Sequence, residues 1–255
     1  MSQNRTGAAL VTGAGKRIGR AMAIALADNG FDVGVHYNAS KSEADEVVAL
    51  IKAKGRNAVA VQANLSQEKE TAALIGDAVE ALGPLSILVN SASTFELDDI
   101  ETMTRASWDK HMEANLRAPL KLAQDFAAQV QDGANNLIVN IIDQRVLKLT
   151  PQFLSYTTSK AALFTLTKTL AQGLGPKGVR VNAIGPGPTI KNSRQSDEDW
   201  ERQNQATVLG YGATPEDICG ALLYLVSARA VTGQMIAVDG GQHLIWQTPD
   251  VLVKE

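Results

Sequence analysis

The sequence of 255 residues is poor in the side chains that build disulfides and metal centres. Its one cysteine, Cys219, has no partner for an internal disulfide and excludes a cysteine-based zinc site. Three histidines, His36, His111 and His243, are scattered along the chain without metal-ligand spacing. We therefore expect no metal centre, and the single cysteine is typical of a protein of the reducing cytoplasm.

An excess of positive charge is also missing. The chain has 24 Lys and Arg against 27 Asp and Glu, a net charge of −3, so it lacks the basic field that attracts nucleic acid or an anionic membrane. No apolar run approaches the roughly 18 residues of a membrane span, and the N-terminus shows no signal-peptide hydrophobic region. With 45% hydrophobic and 20% charged residues, the composition is typical of a soluble globular protein. We expect a cytoplasmic protein with a small-molecule ligand.

Short apolar runs alternate with longer segments of helical period. The short runs are rich in Val, Ile and Leu, which is typical of strands buried on both faces: 8–12, 31–37, 58–62, 85–90, 137–142 and 179–184. The helical patterns are 17–29, 42–54, 67–82, 107–131, 154–174 and 215–227. This alternation predicts one domain, 1–255, with a Rossmann-type, doubly wound, predominantly parallel sheet and helices on both faces. Ligand is then expected at the carboxyl ends of the strands.

One long polar stretch, 185–204, shows no regular pattern and begins with Gly185-Pro186-Gly187-Pro188. Loops of that length in compact domains usually cover or bind a ligand. We therefore predict a substrate loop around residues 185–205.

A glycine-rich turn follows the first predicted strand and leads into a helix. Gly13, Gly15 and Gly19 let the backbone approach a pyrophosphate, which would rest on the positive end of that helix. The spacing, G-x-G-x-x-x-G, departs from the usual dinucleotide fingerprint, and an ordinary strand-to-helix turn is the alternative.

The expected cofactor is NADPH rather than NADH. NAD sites usually place a carboxylate at the end of the second strand, but here the chain reads His36-Tyr37-Asn38-Ala39-Ser40-Lys41. Lys16 and Arg17 lie in the phosphate loop instead, where they would attract a 2′-phosphate. The alternative is a solvated pair at a helix start, although the helix dipole disfavours cations there.

A second pair of chemical interest, Tyr156 and Lys160, stands four residues apart at the start of a predicted helix. Both side chains lie on one helix face, so the ammonium group is expected to lower the pKa of the phenol and make it a proton donor. Such a pair is common by chance, and its value depends on the residues around it.

Taken together, these residues resemble the short-chain dehydrogenase/reductase family over nearly the whole chain. The matching elements come in the family's order: the glycine loop, Asn64-Leu65, Asn90-Ser91-Ala92-Ser93, Asn115, Tyr156/Lys160, Gly185-Pro186-Gly187 and Val238-Asp239-Gly240-Gly241.

Two departures from the general pattern are similar to the pteridine reductases, a subfamily of that family. Arg17 stands where the second glycine of the loop belongs, and Asp143 stands 13 residues before Tyr156, where the family normally has a serine. The stretch 90–95 matches the subfamily's N-x-A-S-x-F pattern, in which the phenylalanine stacks on the pterin, although Ser91 replaces the commoner asparagine. The His36-Tyr37 pair recurs there too.

The resemblance implies a set of site residues. Catalysis would involve Asp143, Tyr156, Lys160 and Asn115, with Asn115 holding a water-mediated proton path from Lys160. The substrate would contact Arg17, Ser93, Phe95, Asp143 and Tyr156. NADPH would contact Gly13, Lys16, Arg17, Ile18, Gly19, His36, Tyr37, Asn38, Ser40, Asn64, Leu65, Asn90, Ser91, Ala92, Tyr156, Lys160, Pro186, Gly187 and Thr189.

The implied reaction is NADPH-dependent reduction of a pterin ring C=N bond, in dihydromonapterin, dihydrobiopterin or a dihydrofolate-like compound. A homotetramer packed through the helices 107–131 and 154–174 is implied as well. One alternative is a carbonyl or 3-oxoacyl reductase of the same family, which Asp143 opposes because a carboxylate repels a developing alkoxide. The other is a non-catalytic NADP(H)-sensing protein, which would not need the proton relay. Without the family, Phe95 would be a loop anchor and Asp143 a turn former.

Overall fold

The computed structural model describes residues 6–131 and 135–251. In these ranges one parallel sheet has the strand order β3-β2-β1-β4-β5-β6-β7. The strands are β1 (Gly7–Val11), β2 (Phe31–Tyr37), β3 (Ala58–Gln62), β4 (Ile87–Asn90), β5 (Asn136–Ile141), β6 (Val179–Pro186) and β7 (Met235–Val238). The chain winds outward from β1 to β3, returns to β4 and winds outward on the other side. The predicted doubly wound sheet is confirmed.

Helices cover both faces of this sheet, as predicted. They are α1 (Arg17–Asp28), α2 (Lys41–Ala53), α3 (Glu68–Leu82), α4 (Arg105–Met112), α5 (Ala118–Gln129), α6 (Leu154–Leu174), α7 (Asp197–Gln205) and α8 (Pro215–Ser227). Helices α1, α2 and α8 bury their apolar sides in one core layer, to which Cys219 contributes. Helices α3, α5 and α6 pack on the opposite face, where Phe126 is fully buried. No helix within the described ranges has both the length and the apolar character to cross a bilayer.

Three predictions about elements were wrong. The single helix 107–131 is two helices, α4 and α5, joined by a π-helical segment, Glu113–Arg117, which the apolar periodicity does not reveal. The strand β7 was missed because its four residues are only half-buried at the sheet edge. The loop 185–205 begins inside β6 and ends in α7, a helix with no buried residue and hence no apolar stripe. Its start is nevertheless marked by an N-cap, Ser196, which accepts from the Asp199 N–H.

The helix that carries Tyr156 begins in an unusual way. Its N-cap residue, Phe153, has left-handed backbone angles (φ 58°, ψ 47°) and no side chain that can cap the helix. Asp98, from the segment after β4, takes over this role: its carboxylate accepts from the Ser155 N–H at 3.1 Å and from the Ser155 hydroxyl, and its carbonyl accepts from the Leu154 N–H at 3.2 Å. The Ser107 hydroxyl also donates to this carboxylate, at 3.1 Å. A fully buried carboxylate therefore fastens α6 to the segment that contains Phe95.

Replacing Asp98 by alanine should lower the free energy of unfolding by about 2–3 kcal/mol, because it removes a helix cap and leaves buried donors without an acceptor. The matched control is Asp99→Ala, because the Asp99 carboxylate accepts hydrogen bonds from Glu101 and Thr102 of its own turn. Guanidinium denaturation of both variants measures the difference. Equal losses in the two variants would contradict the capping role of Asp98.

Candidate active site

A cavity of about 960 Å³ opens at the carboxyl ends of the strands, where the strand order reverses between β1 and β4. Most of the residues predicted from the sequence line it. They are Gly13, Lys16, Arg17, Ile18, Gly19, His36, Tyr37, Asn38, Ser40, Ser91, Ala92, Ser93, Phe95, Asp143, Tyr156, Lys160, Pro186, Gly187 and Thr189. Parallel strands end at one edge of a sheet, which is why segments so distant in the chain meet here.

Three of the predicted cofactor residues, Asn64, Leu65 and Asn90, do not line this cavity. Asn64 donates its backbone N–H to the Glu70 carboxylate at 2.6 Å and turns its own side chain to the Ser66 N–H. Leu65 is buried in the core, and the Asn90 amide donates to Asn140 at 2.9 Å inside the sheet. Their order in the chain matches the family, but their side chains contact neighbouring residues near the ends of the strands and do not form part of the cavity wall.

The glycine loop is built for close backbone contact. A Cβ atom on Gly13, which has a φ of 65°, would lie 2.9 Å from the Cα of Ala92, and one on Gly19 would lie 2.3 Å from the Gly13 carbonyl oxygen. The Gly13 N–H donates to Nδ1 of His36 at 3.0 Å, and Nε2 of that ring donates to the Ala63 carbonyl at 3.0 Å. Burial lowers the pKa of His36 to about 4, so its ring is neutral near pH 7 and Nδ1 is available to accept the Gly13 N–H.

Arg17 occupies the position where the family usually has glycine, and its backbone shows why this is costly. Its φ is 53°, the left-handed region, which costs a residue with a side chain roughly 1–2 kcal/mol. The guanidinium group donates to the carbonyls of Ile190 at 2.8 Å and Lys191 at 3.0 Å. Strained residues of this kind cluster at functional sites, and this one ties the glycine loop to the segment after β6.

The phosphate end of the cavity contains a carboxylate that the sequence analysis did not consider. Glu43, in the first turn of α2, lines the cavity and forms an ion pair with Lys16 at 2.7 Å. The Lys16 ammonium lowers the pKa of Glu43. Strand β2 itself ends without an acidic residue, but helix α2 places the carboxylate of Glu43 beside Lys16.

Asp143 and Tyr156 form the chemical centre of the cavity. The Tyr156 hydroxyl donates to Oδ2 of Asp143 at 2.8 Å, and the Arg145 N–H donates to Oδ1 at 2.8 Å. Burial raises the pKa of Asp143, although both hydrogen bonds and the charges of Arg145 and Lys160 oppose the shift. A carboxyl group in this position is suited to holding a proton.

The expectation that Lys160 lowers the pKa of Tyr156 is wrong for this arrangement. Burial and the neighbouring Asp143 raise the pKa of Tyr156 well above its usual value. The Lys160 ammonium donates to the Ile141 carbonyl at 2.8 Å and lies 5.8 Å from the centre of the Tyr156 ring. Burial lowers the pKa of Lys160 itself to about 8.

Asn115 lies in the π-helical segment and does not line the cavity. Its Oδ1 accepts from the Thr94 N–H at 2.8 Å and the Ser93 hydroxyl at 3.2 Å, and its Nδ2 donates to the Thr94 carbonyl at 2.9 Å and Ser159 at 3.1 Å. It therefore positions the segment that leads to Phe95. The π-helical turn lies where Asn115 makes these four hydrogen bonds, and turns of this kind often occur at functional sites.

The aromatic wall of the cavity contains a residue that the sequence analysis missed. Phe95 stacks on Phe153 with a centroid distance of 4.5 Å and an interplanar angle of 7°. It also meets the Tyr156 ring edge to face at 4.7 Å. No sequence signal marks Phe153, because its ring reaches Phe95 only through a left-handed backbone at the start of α6. Other lining residues that were missed are Leu97, Gln144, Arg145, Asn192, Arg194, Trp200, Gln203 and Gln242.

The residues present fit a dinucleotide. Gly13 and Gly19 form a cradle in which a Cβ would meet backbone atoms, and the first turn of α1 lies above it. Within the part of the chain that the structure describes, no group of three or more His, Cys, Asp or Glu side chains is placed to hold a metal ion.

This chain is similar to known reductases. A family model described as enoyl-(acyl carrier protein) reductase matches residues 13–243. The chain is 34% identical over 243 residues to 3-oxoacyl-[acyl-carrier-protein] reductase FabG of Staphylococcus aureus, covering 94% of this chain and 99% of that protein.

Two solved structures are also similar. FolM alternative dihydrofolate reductase 1 from Brucella canis, complexed with NADP, has a TM-score of 0.91 and 43% identity, covering 97% of this chain and 98% of that one. The Brucella suis protein of the same name, also with NADP, has a TM-score of 0.89 and 42% identity over 96% and 98% of the two chains.

We expect this protein to bind NADPH at least tenfold more tightly than NADH, about 1.4 kcal/mol, because Arg17 and Lys16 attract the extra phosphate. The Glu43→Gln variant should bind NADPH more tightly than the wild type, since it frees Lys16, and should leave NADH binding nearly unchanged. Titration by fluorescence measures all four constants. Equal binding of NADPH and NADH by the wild type would contradict the role of the cationic loop.

Proposed function

This chain belongs to the short-chain dehydrogenase/reductase family and is an NADP-dependent oxidoreductase, and we propose that it reduces a ring C=N bond of a pterin. The observation that carries the proposal is the hydrogen bond of 2.8 Å from Tyr156 to Asp143, where the family normally has a serine. A carbonyl oxygen gains negative charge as it is reduced, and a serine hydroxyl stabilises that charge. A ring nitrogen must take a proton instead, which a carboxyl group of raised pKa can hold.

Bound NADPH supplies the hydride for this reaction. The glycine loop and Arg17 would hold the dinucleotide at its phosphates, and Lys160, whose ammonium donates to the Ile141 carbonyl at 2.8 Å, would lie beside it next to Tyr156. The Tyr156 hydroxyl and Oδ2 of Asp143 share one hydrogen bond, so a proton held on this pair can pass to a ring nitrogen placed beside it. The pair is held in place by the Arg145 N–H on Oδ1 of Asp143.

Phe95 provides a flat apolar surface for the pterin in this proposal. Its ring is backed by Phe153 and held at a right angle to Tyr156, so it does not need to be ordered when substrate binds. Asn115 fixes the backbone one residue away, at Thr94.

A carbonyl or 3-oxoacyl reductase is the second candidate, and the similarity to 3-oxoacyl-[acyl-carrier-protein] reductase favours it. The replacement of the family's serine by Asp143 and the similarity to two alternative dihydrofolate reductases favour the pterin. A screen of NADPH oxidation with dihydropterins, dihydrofolate, simple ketones and a 3-oxoacyl thioester decides between the two. Turnover of ketones alone would overturn the pterin assignment.

The proposal also includes a homotetramer in the cytoplasm. Both are expectations: the first follows from the family resemblance, and the second from the single cysteine. The helices named for the contact, α4 with α5 and α6, bury only part of their large apolar side chains within the chain: Leu122, Phe126 and Leu163 are buried, but most of the others are half-buried. A contact between copies could therefore use half-buried apolar side chains, such as Phe164 and Leu166, together with the exposed polar groups of these helices.

Phe95→Ala should raise KM for a dihydropterin about 3- to 10-fold and leave the Kd of NADPH nearly unchanged, because only the substrate loses its stacking partner. Phe164→Ala is a suitable control, since Phe164 is a half-buried phenylalanine that does not line the cavity. Steady-state kinetics and cofactor titration give the two constants. An unchanged KM in the Phe95 variant would make this ring a purely structural residue.

Asp143→Asn should keep NADPH binding but lower kcat for a dihydropterin by roughly 10²-fold or more, the usual scale of a lost general acid. In the wild type, the rate should fall as the pH rises through the raised pKa of Asp143, because the protonated carboxyl group is the active form. The asparagine variant should lose this alkaline decline.

Asp143→Ser restores the family's common centre and should lose pterin reduction while gaining weak ketone reduction. A serine variant that reduces dihydropterin at the full rate would show that the aspartate is incidental.

A further inference from the structure

Two arginines at the rim of the cavity flank its aromatic wall. The Arg145 guanidinium lies over the Phe153 ring, 4.8 Å from its centre, and the Arg194 guanidinium lies over Phe95 at 5.6 Å. Arg145 is two residues beyond Asp143, and Arg194 is in the segment between β6 and α7. Both line the cavity that holds the chemical centre.

Neither arginine uses its full set of donors. Arg145 donates from one terminal nitrogen to the Thr150 hydroxyl at 2.9 Å, while its Nε is buried without any hydrogen-bond partner among the described residues. Arg194 donates from one terminal nitrogen to the Phe95 carbonyl at 3.0 Å. Since a guanidinium group has five N–H donors, both retain donors for a ligand. The Nε of Arg145 is inaccessible, so a ligand would use the remaining N–H groups of its terminal nitrogens.

The charges around this rim are unbalanced. Within residues 6–131 and 135–251, neither arginine has a carboxylate within ion-pair distance. The acid near Arg194 is Glu96, and its charge is already matched by an ion pair with Lys110. Asp143, the acid near Arg145, is inclined to the neutral form by burial. The rim therefore presents net positive charge beside two stacked aromatic rings.

We propose that Arg145 and Arg194 form a subsite for the anionic end of the substrate's side chain, so that the preferred pterin carries a carboxylate-bearing substituent rather than a neutral polyol. This inference rests on the proposed function. A guanidinium group binds a carboxylate through two parallel hydrogen bonds, and stacking on an aromatic ring keeps its plane fixed for that contact.

A series of ligands with graded charge tests the subsite. The Kd values of 7,8-dihydrobiopterin, which has no charged substituent, 7,8-dihydropteroate, with one carboxylate, and 7,8-dihydrofolate, with two, are measured by calorimetry on the NADP⁺ complex. We expect affinity to rise with the number of carboxylates. Raising the salt concentration from about 0.05 M to about 0.5 M should weaken dihydrofolate binding and leave dihydrobiopterin binding nearly unchanged, since only the former depends on charge. Initial-rate KM values should follow the same order.

Variants assign the effect to the two residues. Arg145→Gln and Arg194→Gln should each raise the Kd of dihydrofolate about 3- to 10-fold and that of dihydrobiopterin less than about twofold. Arg145→Lys keeps the charge and should recover part of the loss. Arg202→Gln is the matched control, because Arg202 is an exposed arginine of α7 outside the cavity wall. The salt dependence of the wild type tests the inference independently if Arg145→Gln does not fold.

The outcomes separate this inference from the proposed function. A wild type that reduces all three pterins with constants independent of charge, or variants that weaken all three ligands equally, would overturn the subsite alone. A phosphate ester of dihydroneopterin that binds more tightly than dihydrofolate would overturn the choice of carboxylate. A wild type that neither binds nor reduces any pterin would overturn the proposed function and the subsite with it.

Discussion

The turn between β1 and α1 lies so close to the end of β4 that no side chain fits between them. A Cβ on Gly13 would meet the backbone of Ala92, and Thr12 accepts the N–H groups of both Ser91 and Ala92 through its hydroxyl, at 2.9 and 3.0 Å. This contact joins the phosphate loop to the segment that continues to Phe95. The cofactor cradle and the aromatic wall are thus one rigid unit, and the distance between them does not depend on a flexible hinge.

Helix α6, which carries Tyr156, is joined to the segment after β4 by buried polar groups. Asp98 caps α6 from the segment after β4, and Asn115 holds the backbone of Thr94 from the π-helical turn. Both residues act on the short stretch that presents Phe95, while α6 presents Tyr156. The two non-glycine residues with left-handed backbones in the described part of the chain, Arg17 and Phe153, both line the cavity. Backbone strain in the described part of the chain is therefore concentrated where ligand would bind, a distribution expected of a site held ready before binding.

The similar proteins fall into two groups, a 3-oxoacyl-[acyl-carrier-protein] reductase and two alternative dihydrofolate reductases, and one scaffold can support both reactions. Strand order, glycine loop and the Tyr156–Lys160 pair are shared across the family and do not choose a substrate. The choice lies in a few positions, above all Asp143, whose hydrogen bond with Tyr156 replaces the contact a serine would make with a carbonyl. Burial keeps that carboxyl group inclined to hold a proton.

The sequence by itself determined the class of fold and most of the cavity wall. Short apolar runs and helical periods are local properties, so β2, β3, α6 and α8 were predicted with their observed bounds. Motifs such as 13–19 and Tyr156 with Lys160 carry their chemistry in a short stretch, and the topology of a parallel sheet brings them together. Only the tertiary structure decided what depends on distant contacts. The pairing of Lys16 with Glu43, the stack of Phe153 on Phe95, the cap from Asp98 and the pKa of Tyr156 each arise between segments whose distance and burial no local pattern records.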